Sequence, residues 1–134
     1  MPTLARSFFA VIFGFIVMIV VTIPMTLIAV KAFGLSSGHA APGYLAFNVA
    51  SSLFTAFAGG WVTGSIAGYR RQRHGLILAI VMIVMAAVSY LHYRGSQPPW
   101  YQAMLIVAPP VFAVIGAVSS GRIGRTESAS GRTN

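Results

Sequence analysis

The chain has 134 residues, 57% of them hydrophobic and 7% charged, with nine Lys and Arg against a single acid, Glu127, and no cysteine. A soluble domain of this size carries roughly a quarter charged residues, so the composition excludes an ordinary soluble fold, and the missing cysteines exclude disulfides, thiolate metal sites and CxxC redox chemistry. The net charge of +8 does not indicate a nucleic-acid partner, because the cations sit in short connections between apolar blocks instead of along one solvated face.

The first block predicts a helix over about Phe8–Ala32. It exceeds twenty residues, against roughly 7–15 for the apolar core of a signal peptide. Arg6 precedes it, and Lys31 lies at its far end with no convincing small-residue cleavage site before it, so it is expected to be retained as a spanning helix. Pro24 interrupts it, with Thr22 and Thr26 close by. The connection "GLSSGHAAPG" (34–43) reads as a loop.

The second block predicts a helix over Tyr44–Gly68. Steps of four back from Gly68 give Gly64, Gly60, Ala56, Ser52 and Asn48; the adjacent row is Ala67, Thr63, Gly59, Thr55 and Ser51. Residues four apart share a helical face, so both rows form a strip of small side chains, the kind that lets membrane helices approach closely. Ser52, Ala56, Gly60, Gly64 and Gly68 are therefore expected to form a helix-packing or partner interface.

The stretch "GGWVTGSIAGYRRQRHG" (59–75) holds five glycines, three arginines and a histidine. It is not a phosphate-binding loop, because neither GxxxxGK[ST] nor a strand–GxGxxG–helix arrangement is present. Its arginines follow the glycines, at the C-terminal end of the helix, where the dipole favours cations and anionic lipid attracts them. Arg70, Arg71 and Arg73 are expected to contact anionic phospholipids.

The third block, Gly75–Tyr93, and the fourth, Trp100–Gly121, flank the connection "RGSQPP", where Pro98 and Pro99 end one helix and start the next. Tyr90, Tyr93, Trp100 and Tyr101 read as an interfacial aromatic belt. Pro109 and Pro110 interrupt the fourth helix, which repeats the small-residue theme in Ala113, Ala117 and Gly121 and so pairs naturally with the second. Residues 1–121 are expected to be one four-helix transmembrane domain, and 122–134 a disordered cytoplasmic tail.

With four crossings, Arg6, Arg70, Arg71, Arg73, Arg122, Arg125 and Arg132 share one side and Lys31 and Arg94 the other. That asymmetry places both termini in the cytoplasm by the positive-inside rule. The fold expected is an all-α four-transmembrane-helix bundle, multi-pass in a membrane.

The pattern "GGW…AG…RR…HGL", from Gly59 to Leu76, resembles one found in uncharacterised small four-helix bacterial inner-membrane proteins. The resemblance covers 18 of the chain's 134 residues. It implies the bacterial inner membrane as the location and carries no activity with it.

Proton-coupled exporters and intramembrane peptidases need carboxylates inside the spans; the spans have none. His39, His74 and His92 follow no HxxxH or HExxH spacing, so neither a metal site nor a catalytic one is expected. His92 is the imidazole placed to ligate a haem or chlorophyll-type pigment, although no cofactor is required. The sequence thus favours a non-catalytic accessory or scaffold subunit whose partners are other membrane subunits or copies of itself. The alternative is a small oligomeric transporter or channel passing a neutral or anionic solute along Asn48, Ser52 and Thr55.

Overall fold

The computed structural model describes residues 2–34, 42–92, 94–95 and 97–130. They form four α-helices and, among the described residues, no strand: α1 (Pro2–Phe33), α2 (Pro42–Ala67), α3 (Arg71–His92) and α4 (Pro99–Ser130). Three of them open on a proline, whose missing N–H costs nothing in a first turn and whose fixed φ suits one. α2 stops where Gly68 turns to a φ of 72° and its N–H closes on the Gly64 carbonyl at 3.1 Å, a glycine C-cap. Each helix contains a stretch long and apolar enough to cross a membrane.

The helices outrun the apolar blocks of the sequence. α1 begins at Pro2 instead of Phe8, α3 at Arg71 instead of Gly75, and α4 continues to Ser130 instead of ending at Gly121. Apolar character marks where a helix can lie in hydrocarbon, whereas the backbone ladder continues until something breaks it. No proline follows Pro110, and a glycine in a helix costs only about 1 kcal/mol. α4 accordingly runs through Ser130, into the segment 122–134. Residues 131–134, His39 and Tyr93 lie outside the described residues.

Consecutive helices run antiparallel and pack in the cyclic order α1, α2, α4, α3, with α1 and α4 apart. α2 meets α4 most extensively and α1 nearly as much, while the α1–α3 seam is the thinnest. The two small-residue rows of α2 serve different neighbours. Gly59 and Thr63 face α1: a methyl at Gly14 would overlap the Thr63 hydroxyl and lie 2.6 Å from the Gly59 carbonyl oxygen. Gly60 and Gly64 face α4, where added methyls would lie 2.8 Å from the Cα atoms of Ala113 and Ala117. Gly116 answers from α4, lying against the Phe57 carbonyl and the Trp61 N–H. Ala117 also meets α3, 2.7 Å from where Gly75 would carry a Cβ.

Ala56, Leu78, Met82 and Ala113 form the buried centre, flanked by Val11, Phe15 and Met18 of α1. Large apolar side chains point outward on every helix, among them Phe8, Phe13 and Ile23 on α1, Phe54 on α2, Ile80 and Val84 on α3, and Val107 and Val111 on α4. α1 is the most peripheral: 6% of its most apolar window is buried, against 28–33% in the other three.

Substituting Gly14 with valine should force α1 off α2 and lower stability by about 2 kcal/mol or more. Phe54→Val, on an exposed face, should change it by less than about 1 kcal/mol. Thermal unfolding of the two variants in the same detergent checks the contrast.

Candidate functional site

The antiparallel helices gather the polar chemistry at two ends. At the basic end the last turn of α2 presents carbonyls with acceptor capacity to spare, the Gly64 oxygen beside the Gly68 N–H that it already accepts. Arg6, from the start of α1, donates through Nε to the Ile66 carbonyl at 2.8 Å. Arg71, from the start of α3, donates through Nε to the Gly64 carbonyl at 3.2 Å. Two arginines from different helices thus cap one helix end, each gaining from the negative pole of its dipole.

Gly68, Tyr69 and Arg70 connect α2 to α3. Arg70 adopts a φ of 49°, in the left-handed region that is strained for a residue with a Cβ. Its carbonyl then accepts the Arg73 N–H at 2.9 Å and the His74 N–H at 3.4 Å, starting α3.

His74 is 5% exposed and joins α3 to α1. Its Nδ1 donates to the Arg70 carbonyl at 3.0 Å, and its Nε2 lies 2.7 Å from Ser7 Oγ. The Ser7 hydroxyl also lies 2.8 Å from the Thr3 carbonyl as a donor. Tyr69 covers the ring edge-on, with centroids 6.1 Å apart.

Beside this clasp, Gly68, Arg70, Arg71, Gln72, Val118, Gly121 and Arg122 line a recess of about 350 Å³. Arg70 and Arg71, read from sequence as a lipid-contacting pair with Arg73, here come together with Arg122 of α4, whereas exposed Arg73 is not among the lining residues. The Arg71 guanidinium lies against Gly121, where a Cβ would sit 3.1 Å from its Cζ.

At the opposite end, the Asn48 amide donates to the Tyr101 hydroxyl and links α2 to α4. Tyr101 is fully buried, which corrects its reading as part of the aromatic belt. Adjacent helical residues point about 100° apart, so exposed Trp100 and buried Tyr101 divide between the surface and the interior. The hydroxyls of Ser51 and Ser52 donate to the Asn48 carbonyl, and that of Thr55 to the Ser52 carbonyl. Each is engaged within its own helix. A recess of about 180 Å³ between α3 and α4, lined by Ser89, Tyr90, Gln97 and Gln102, does not include His92. His92 ends α3 with its side chain exposed.

Of the other residues singled out in sequence, Ala56, Gly60 and Gly64 are buried within the chain, Ser52 is half-buried, and Gly68 is the exposed cap of α2. The sequence places Arg6 and Arg122 on the same side as Arg70, Arg71 and Arg73 without giving either a contact, and it does not single out Ser7. The available signal was topological, because four antiparallel helices bring residues near 6, 70 and 122 together. Comparison with protein-family models, with curated proteins and with solved structures gives no match. The four apolar helices point to a multi-pass membrane protein.

The His74–Ser7 clasp predicts coupling between the two residues. His74→Ala and Ser7→Ala should each destabilise the chain, and the double variant should fall short of their sum by about 1 kcal/mol. A double-mutant cycle read by thermal unfolding measures that term.

Proposed function

We propose that the chain is a non-catalytic, multi-pass protein of the bacterial inner membrane, with both termini cytoplasmic, acting as an accessory or scaffold subunit of a larger membrane assembly. Its partners on this reading are other membrane subunits or copies of itself, with anionic phospholipids meeting Arg70, Arg71 and Arg73 at the cytoplasmic surface.

One observation carries the reading. The polar side chains that span helices are spent on holding them together (Asn48 on Tyr101, His74 on Ser7, Arg6 and Arg71 on the end of α2), while the outward faces are apolar. A protein built this way offers shape and apolar surface to its surroundings. The open α1–α3 seam, a groove of about 500 Å³ lined by residues such as Phe8, Phe15, Ile77 and Val81, is where a partner helix has most room. The orientation is supported by Arg6, Arg70, Arg71 and Arg73 meeting at one end, with Lys31 and Arg94 at the other.

Gentle purification from native membranes, reading mass and visible spectrum together, tests the role. Stoichiometric larger subunits are expected. A colourless homo-oligomer without partners would contradict the accessory reading and favour the solute transporter, and a bound chromophore would direct attention to His92. The cysteine-free chain also suits topology mapping. Gln72→Cys should react with a membrane-impermeant maleimide only after the cytoplasmic side is opened, and Gln97→Cys from outside; the reverse pattern would contradict the orientation.

A further inference from the structure

We propose that the recess between the α2–α3 turn and α4 is a binding site for a phosphate group, held by Arg70, Arg71 and Arg122. The proposal deepens the anionic-lipid contact above and rests on it only for the source of the phosphate. A diffuse basic belt would spread its arginines along the surface. Here Arg70 of the α2–α3 connection, Arg71 at the start of α3 and Arg122 of α4 line one cavity of about 350 Å³, together with Gln72. Guanidinium groups suit phosphate because their planar fork donates two parallel hydrogen bonds.

Arg71 is prepared for the role. Its Nε is fixed on the Gly64 carbonyl, and its head rests where Gly121 carries no side chain, leaving terminal N–H groups to present to a ligand. Fixing the stem before binding removes part of the entropy that a flexible arginine would lose. Arg70 is held beside it by the left-handed turn. Because α3 starts at Arg71, and the Arg73 and His74 N–H groups return to the Arg70 carbonyl, the Arg71 and Gln72 N–H groups stand outside the helical ladder at the same place. The positive end of α3 thus adds to the guanidinium field.

The wider charge balance points the same way: the chain has nine cations and one acid, so an anion is favoured wherever its arginines gather. The source of the phosphate is either a phospholipid headgroup, since the recess lies at the end of the apolar helices, or a free phosphate compound.

The test uses the full chain in a zwitterionic detergent, with phosphatidylglycerol as the lipid probe and inorganic phosphate as the soluble one. Binding of phosphatidylglycerol is read by native mass spectrometry, and competition by titrating phosphate. Arg70→Gly, which keeps the left-handed turn easy, and Arg122→Gln should each weaken binding about tenfold, whereas Arg94→Gln, between α3 and α4 and outside the recess, should change it less than about twofold. Unfolding temperatures of the three variants establish that each is folded. Lipid bound selectively and not displaced by phosphate identifies a headgroup site, and displacement by phosphate identifies a soluble ligand; both outcomes uphold the recess. Equal losses in all three variants, or no binding of either probe by the wild-type chain, would overturn it. The soluble arm needs no bilayer, so its result is independent of the orientation read by cysteine labelling.

Discussion

The architecture depends on how closely α2 approaches two neighbours at once. Gly59 and Thr63 admit the backbone of α1 at Gly14, and Gly60 and Gly64 admit α4 at Ala113 and Ala117. Between apolar helices in lipid there is little hydrophobic gain from association, so dispersion at short range and polar contacts must supply the cohesion. A side chain on either glycine face would separate the backbones and forfeit both. Leu78 and Met82 of α3 then fill the space beside Ala56 and Ala113 that the small residues leave.

The short interhelical distance also permits the polar contacts. Arg6 and Arg71 reach the Ile66 and Gly64 carbonyls because α1 and α3 start beside the end of α2. Asn48 reaches Tyr101 because α2 and α4 are close at the other end as well. Each bond is modest, averaging about 0.6 kcal/mol for polar contacts in membrane proteins, but together they fix helix register at both ends. The same arrangement brings Arg70, Arg71 and Arg122 around one recess, so the packing that orders the helices also concentrates charge.

Much of this was legible in the sequence, for identifiable reasons. Four long apolar blocks determine four helices, and the i, i+4 spacing of Gly60, Gly64 and Ala56 reveals a close-packing face without reference to a partner. The spacing cannot say which helix occupies each row, because Gly59 and Gly60 lie side by side yet serve different neighbours. Tyr101 was read as interfacial because its neighbours are, and only the helical phase set by Pro99 turns it inward. His74 looked like one more polar residue of a basic turn; its role comes from Ser7, sixty-seven positions away, which no local pattern registers. Gly68 shares the four-residue spacing of the strip but terminates the helix, so the row ends one member earlier than its periodicity implies.

The most direct measurement is the native mass and thermal stability of Gly64→Leu, determined together. If the glycine face of α2 is filled by α4 of the same chain, leucine should lower the unfolding temperature markedly without changing the mass of the purified species. Unchanged stability with a fall in mass would show that this face holds a second chain instead, and would contradict the packing described for α2.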